Sequence, residues 1–311
     1  MGTRVFVDCD PGIDDAVALA YLAARSDVEI AGIGAVFGNN GVERTSDNAL
    51  RLLELYGRAD TPVAVGAARP LVQRPRSARG VHGGNGLGDV ELPAPVGAPV
   101  AESAAELLVR LARETPGALD VLAVGPLTNL GIALRLEPDL PTLVRRLVVM
   151  GGAVRAPGNT GTHAEANVAN DPEAAEAVFA AGFDLDLVAL DVTMRTVATA
   201  AWLDELKGIP GERAERTSAF LDFYADFYSG IFGVRQCAMH DPLAAAVLLD
   251  PHLVTESLHT PIRVELSGTL TRGMTVADLR PRPRRDDRRP ARVVTGVSGT
   301  EFLSRMLDAL R

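Results

Sequence analysis

Short apolar runs alternate with longer amphipathic stretches along most of this chain. The runs at 4–8, 28–36, 62–65, 119–124, 146–150 and 185–190 have the length and composition of buried strands. Between them, 14–24, 41–56, 101–114, 129–136 and 172–181 carry apolar residues at helical spacing. A helix between successive strands makes a crossover connection, and that order gives a mostly parallel sheet with helices on its faces. Farther on, 213–228 and 240–249 read as helices, and 262–266, 274–279 and 291–296 as strands. No Ser/Gly-rich linker or internal repeat divides the 311 residues. The expectation is one α/β domain over 1–311, built on an open, mostly parallel, Rossmann-like sheet flanked by helices.

Polar residues interrupt the pattern at recurring places, just after apolar strands. Asp8, Asp10, Asp14 and Asp15 follow or end the first, Gly38-Asn39 the second, Gly125-Pro126-Leu127-Thr128-Asn129 the run at 119–124, and Gly151-Gly152 the run at 146–150. Open α/β sheets bind ligands at the carboxyl ends of their strands, so this repetition describes one crevice lined by loops. The four aspartates within eight residues pose an electrostatic problem. Crowded carboxylates repel, and burial raises their pKa, unless a cation or hydrogen-bond donors neutralise them. No basic residue occurs between Arg4 and Arg25. A bound metal ion is the economical solution.

Composition narrows the partners. The net charge of −9 argues against a nucleic-acid polymer or an anionic membrane surface. No run of about 18 apolar residues suggests a membrane span, and the N-terminus enters a strand without a signal-peptide core, so a cytoplasmic location is expected. Two cysteines, Cys9 and Cys237, are too few for a disulfide framework. The Arg/Pro-rich segment 280–290 lies between strand-like runs and reads as a solvated connecting loop.

The motifs together resemble one family. Asp8-Cys9-Asp10-Pro11-Gly12-Ile13-Asp14-Asp15-Ala16 is similar to the signature of the inosine–uridine nucleoside hydrolases. The likeness continues in order through Phe37-Gly38-Asn39, Val81-His82-Gly83, Gly125-Pro126-Leu127-Thr128-Asn129, Met150-Gly151-Gly152, Ala164-Glu165-Ala166-Asn167, Asp171-Pro172-Glu173, His240-Asp241-Pro242 and Leu270-Thr271-Arg272-Gly273-Met274-Thr275. The resemblance implies the nucleoside hydrolase fold and a Ca²⁺-dependent hydrolysis of the N-glycosidic bond of ribonucleosides to ribose and free base. It implies Asp10, Asp15, the Val124 carbonyl and Asp241 as calcium ligands, an oxygen set suited to a hard cation. It also implies Asp10 as the base for the attacking water, with Asn39 beside that water.

Ribose contacts implied by the same likeness are Asp14 and Asn167 at the 2′-hydroxyl and Asp15 and Asp241 near the 3′-hydroxyl. Asn159, Glu165 and the Met150 backbone would face the 5′-hydroxyl. His240 is the candidate proton donor to the leaving base, since imidazole titrates near neutrality. Tyr224 and Tyr228, four apart on a predicted helix, share a face and could lie over the base. His82, in a Gly-rich loop, is placed at a mobile lid. Family members are usually dimers or tetramers, so a homodimer or homotetramer is expected.

Plainer readings stand beside these. Asp14 and Asp15 would suit any helix N-terminus, Asn129 would serve as a helix cap, and Asp8 as support for its neighbours. Arg235, Gln236 and His163 receive no role. Two other functions share part of the pattern. A haloacid-dehalogenase-like phosphatase also opens with Asp-x-Asp after a strand, but needs a later lysine, and Lys207 is the only lysine. A non-catalytic calcium- and ribose-binding protein would keep the ligands without the chemistry. The only tryptophan, Trp202, lies away from the crevice motifs, which disfavours a strict purine-stacking site and favours a nonspecific or pyrimidine-accepting one.

Overall fold

A computed structural model describes residues 2–75, 79–283 and 285–311. Six strands come first: β1 (Thr3–Cys9), β2 (Val28–Ala35), β3 (Val63–Val65), β4 (Leu119–Ala123), β5 (Val144–Met150) and β6 (Leu185–Val188). They lie parallel in the spatial order β3-β2-β1-β4-β5-β6. The later strands are β7 (Val197–Thr199), β8 (Gln236–Ala238), β9 (Val254–Thr260), β10 (Ile262–Val264), β11 (Thr275–Ala277) and β12 (Ala291–Val297). β12 extends the main sheet parallel to β6, and β9 closes its edge antiparallel to β12. β7–β8 and β10–β11 form two small antiparallel ribbons. The expected mostly parallel α/β sheet is therefore present, with eight strands.

The strand alternation builds a core on each face. Val5 and Val7 of β1 join one buried cluster, and Phe6 between them joins the other. In β5, Val148 faces the first cluster, while Leu147 and Val149 face the second. The helices Ile13–Ala24 and His240–Leu249 are apolar nearly all round, and almost every residue in them is buried. They are core helices, which fixes their N-termini firmly against the sheet.

Strand order locates the crevice. The chain lays β2 and β3 to one side of β1, then returns to place β4, β5 and β6 on the other. The connections leaving β1 and β4 diverge there, opening a cleft at their carboxyl ends. The hydrophobic pattern left β9 and the helix Gly299–Leu310 unassigned. β9 is an edge strand with exposed Thr255, Glu256 and His259, so it lacks an apolar signature. The segment 280–290 does connect β11 to β12, with Arg288 bonded to Glu176 and to the Ile262 carbonyl. Arg284 of that segment lies outside the described residues.

Candidate active site

The turn after β1 is organised around carboxylates that accept backbone donors. Asp15 Oδ1 takes the Asp10 N–H at 3.2 Å and Oδ2 takes the Gly12 N–H at 2.8 Å, so Asp15 does cap its own helix. Asp10 Oδ2 accepts the Asn39 N–H at 2.7 Å. The Asn39 side-chain amide donates in turn to the Asp10 carbonyl and to Asp15 Oδ2, both at 3.2 Å. Glycine is required beside this cluster. A Cβ at Gly38 would stand 2.0 Å from Asp10 Oδ2, and one at Gly12 would stand 2.5 Å from the Asn39 amide nitrogen.

Asp8 and Asn129 lie beneath this turn. The Asn129 amide donates to Asp8 Oδ1 at 2.7 Å and to the Ala35 carbonyl, and its oxygen accepts the Ala67 N–H. Asn129 thus ties together three strand ends instead of capping its helix, whose N-cap position is Leu127. Burial pushes the Asp8 carboxyl up to about 7, opposed by the Asn129 bond.

The opposite rim comes from loops after β5 and β6 and from two helices. Glu165 caps the helix Ala166–Asn170, accepting the N–H groups of Asn167 at 2.8 Å, Val168 at 3.1 Å and Gly152 at 2.9 Å. The Asn167 amide donates to the carbonyls of Val124 at 2.8 Å and Met150 at 3.2 Å. Asn159 Oδ1 accepts the Ala166 N–H at 3.0 Å. From the helix Glu212–Phe232, the Tyr224 hydroxyl donates to Asp14 Oδ2 at 3.1 Å, and the Tyr228 hydroxyl lies 2.6 Å from His240 Nε2. His240 Nδ1 lies 2.7 Å from the Thr193 hydroxyl.

These walls enclose a cavity of about 250 Å³. Twelve of the fourteen residues expected at a site line it: Asp14, Asn39, His82, Val124, Met150, Asn159, Glu165, Asn167, Tyr224, Tyr228, His240 and Asp241. Asp10 and Asp15 sit directly behind, bonded to Asn39. Val81, Thr160, Ala166, Met194, Phe227 and Ile231 complete the lining and were not expected at the site, nor was Thr193 behind His240. Thr193 could have been found by the rule that found the others, since Leu190-Asp191-Val192-Thr193 directly follows a parallel strand's carboxyl end. The apolar residues carry no sequence signal that separates a cavity wall from a core.

Other expectations resolve plainly. His82 was placed at a mobile lid; it is buried, with Nδ1 accepting the Ile13 N–H at 3.1 Å, and the Asn48 amide anchors the loop at the Asn85 carbonyl. The same Nδ1 is 3.8 Å from Asp14 Oδ1, but an atom that accepts a backbone donor has no proton to give. His82 is therefore neutral in this arrangement, in keeping with burial lowering its pKa. His163, His252 and His259 are exposed and off the cavity. Arg235 pairs with Asp222 and Asp226 on the helix surface, and Gln236 begins β8. Trp202 is buried and donates to the Leu303 carbonyl.

The site has a strong unbalanced charge. Burial, then the neighbouring Asp14 charge, raises Asp15 to about 7, and burial raises Asp10 and Asp241 well above the carboxylate range. Glu165 is raised by burial against its three backbone donors. Among the described residues, no lysine or arginine lines the cavity. Asp14, Asp15 and Asp241 bring carboxylate oxygens within 4.8 Å of one another, and Asp10 Oδ1 is buried with no hydrogen-bond partner among the described residues. A native site that leaves a buried carboxylate oxygen unsatisfied, beside three convergent carboxylates, suits a hard cation. This buried acidic set could bind a metal ion.

Residues 5–304 match the sequence profile of the inosine-uridine preferring nucleoside hydrolases. The chain belongs to this family. This nucleoside hydrolase is 38% identical over 276 residues to a probable uridine nucleosidase 1 of Oryza sativa subsp. japonica, covering 88% of this chain and 85% of that protein. It is also 38% identical over 279 residues to the pyrimidine-specific ribonucleoside hydrolase RihA of Salmonella enteritidis PT4, covering 89% of each. Its fold matches that of a purine-preferring ribonucleoside hydrolase from Gardnerella vaginalis with a TM-score of 0.93 and 30% identity, over 99% of this chain and 98% of that one. The nucleoside hydrolase is thus a glycosidase acting on the N-glycosidic bond of ribonucleosides, and the phosphatase alternative falls away. None of its helices, among the described residues, is long and apolar enough to cross a membrane.

Proposed function

We propose that this nucleoside hydrolase is calcium-dependent and accepts pyrimidine nucleosides without being confined to purines. The unpartnered, buried Asp10 Oδ1 beside the convergent carboxylates carries the calcium assignment. Asp10, Asp15, Asp241 and the Val124 carbonyl would hold the ion, an all-oxygen set with no thiolate or imidazole. When bound, Ca²⁺ supplies the positive charge that keeps these acids ionised.

Asp10 then takes a proton from water as the water oxygen bonds to the anomeric carbon. The C1′–N bond electrons leave with the base, which gains a proton, so water and nucleoside give ribose and neutral base. The transition state resembles an oxocarbenium ion, as in other glycoside hydrolysis, and the acid cluster stabilises its positive charge. Asp14 and Asn167 read the 2′-hydroxyl, and Asp15 and Asp241 the 3′-hydroxyl. Asn159, Glu165 and the Met150 backbone face the 5′-hydroxyl. A carboxylate there repels a 5′-phosphate, so nucleosides are preferred to nucleotides.

The base end pairs polar donors with an apolar wall. His240 and Tyr228, in contact at 2.6 Å, form the route by which the departing base is protonated. Tyr224 shares that helix face. Val81, Met194, Phe227 and Ile231 offer shape with few polar contacts, and the only tryptophan is elsewhere. Such a surface suits several bases. The plant and Salmonella relatives named for uridine or pyrimidine substrates support the pyrimidine side of this reading. Hydrolysis rates on uridine, cytidine, inosine and adenosine, before and after chelation and calcium restoration, test it. Inosine or adenosine turned over with no measurable uridine or cytidine activity, or full activity after exhaustive chelation, would overturn it.

A further inference from the structure

We propose that Thr193 is a positioning residue that fixes the ring tautomer of His240 and so sets the direction of the hydrogen-bond chain at the leaving base. The inference rests on the reading of His240 and Tyr228 as the base-protonating route.

The chain runs through five side chains, Thr193, His240, Tyr228, Tyr224 and Asp14, carried by four helices. Thr193, which ends the short helix Leu190–Thr193, is fully buried, and its hydroxyl lies 2.7 Å from His240 Nδ1. Among the described residues, that hydroxyl makes no second hydrogen bond. A hydroxyl has one proton to give and lone pairs that can stay idle at lower cost, whereas a buried donor without an acceptor is penalised. If the neutral ring carried its proton on Nδ1, Thr193 would have to accept, and its own proton would face no acceptor. With the hydroxyl donating to Nδ1, the ring proton resides on Nε2, facing Tyr228 at 2.6 Å.

The other end of the chain imposes the same direction. The Tyr224 hydroxyl donates to Asp14 Oδ2 at 3.1 Å, and a carboxylate can only accept. Tyr224 and Tyr228 are packed edge to face at 4.9 Å between ring centres, and their side chains hydrogen-bond to each other. Every donor can thus run from Thr193 through His240 and Tyr228 toward the cavity and Asp14. The Tyr228 oxygen accepts from His240, which leaves the Tyr228 proton to point either at the neighbouring Tyr224 hydroxyl or into the cavity that Tyr228 lines. Without the Thr193 hydroxyl, nothing holds the ring in this tautomer. In the alternative one, Tyr228 would spend its proton on Nε2 and present none to the base.

Two measurements separate this proposal from the reading on which it rests. The five histidines allow ¹⁵N-histidine spectra of the full-length enzyme. His240, assigned by its loss in His240→Ala, is expected as the Nε2-protonated tautomer in the wild type and as a mixture in Thr193→Val. In kinetics, Thr193→Val should lower kcat on uridine and inosine roughly tenfold, the effect of one net hydrogen bond, with KM held within about twofold. Turnover of p-nitrophenyl riboside, whose leaving group needs no proton, should be unchanged, and Thr193→Ser should restore the wild-type values. An Nδ1-protonated ring in the wild type overturns the proposal whether or not Thr193→Val folds. So does a full-rate Thr193→Val enzyme when His240→Ala is slow on nucleosides. If His240→Ala loses activity equally on both substrate types, the protonation route itself has failed, and the tautomer spectrum then stands as a separate result.

Discussion

The acid floor and the base wall of this cavity are built in opposite ways. The floor is local: Asp10, Gly12, Asp14 and Asp15 lie in one turn, and backbone N–H groups pin Asp10 and Asp15. The base wall is remote: Tyr224, Phe227, Tyr228 and Ile231 ride one long helix, Glu212–Phe232, and meet His240 and Thr193 from two other helices. The floor concentrates buried acids that could bind a metal ion, while the wall consists of neutral rings and apolar groups. A charged floor held by main-chain donors serves the chemistry common to every nucleoside. A side-chain wall can be repacked without disturbing it, which is where a family can vary its choice of base.

The sharpest way to break this division is to remove the water's base. Asp10→Ala should cut kcat on every nucleoside by about 10³-fold or more, near the upper range for a general base, with ribose affinity little changed. Loss of the same size on p-nitrophenyl riboside is also expected, since water attack is common to all substrates. A variant that kept kcat and lost only KM would make Asp10 a binding group and dissolve the contrast.

The wall predicts a substrate-dependent loss. His240→Ala should slow uridine and inosine by about 10²-fold while leaving p-nitrophenyl riboside within a few-fold, as expected for a lost proton donor. Burial holds the His240 pKa down, to about 4, against the opposing pull of Asp14. The free imidazole is accordingly neutral at pH 7, and in the proposed route it acts on the base through Tyr228. Equal losses on both substrate types would sink the assignment.

Much of the floor was legible because its chemistry is written in adjacent residues at strand ends. Four aspartates after an apolar run, with no basic residue nearby, already imply a neutralising partner. The sheet was legible for the same reason, since β1 to β6 are short apolar runs separated by helices. The resemblance supplied Asp241, Glu165 and Asn167, which no local pattern could have joined to Asp10. The position of Thr193 after a strand end was legible by the same rule, but its role was not, because a buried threonine looks like packing until His240 is seen against it. Phe227 and Ile231 were hidden for a related reason: apolar residues on a helix look the same whether they face a core or a cavity. β9 was hidden by its polar edge.

The floor's charge also gives a pH signature. In the calcium-free protein Asp15 sits near 7, against about 4 in an unfolded chain. Between those values the folded state binds more protons than the unfolded state, so stability falls as pH rises through this window. Below pH 4 the contribution is complete, and above 7 it is lost. The chelated enzyme should therefore melt at a lower temperature at pH 8 than at pH 5, and calcium should raise Tm more at pH 8, where no protons compete for the ligands. A chelated enzyme more stable at pH 8, or indifferent to calcium there, would show that the acids are neutralised some other way.

The smallest expected effect sharpens the account of the wall. Arg235 pairs with Asp222 and Asp226 on the outer face of the helix that carries Tyr224 and Tyr228. If those pairs held the helix in place, Arg235→Ala would loosen the wall and lower kcat on natural nucleosides. The helix instead buries Ala214, Thr217, Phe220, Leu221, Tyr224, Ala225 and Tyr228 against the core. Half-exposed ion pairs contribute about 0–1 kcal/mol, less than the burial of even one of those aromatic side chains. Arg235→Ala should leave kcat/KM within about twofold and shift Tm by only a degree or two. A larger, nucleoside-specific loss would move Arg235 from the surface into the positioning of Tyr228, and would make the base wall dependent on surface charge.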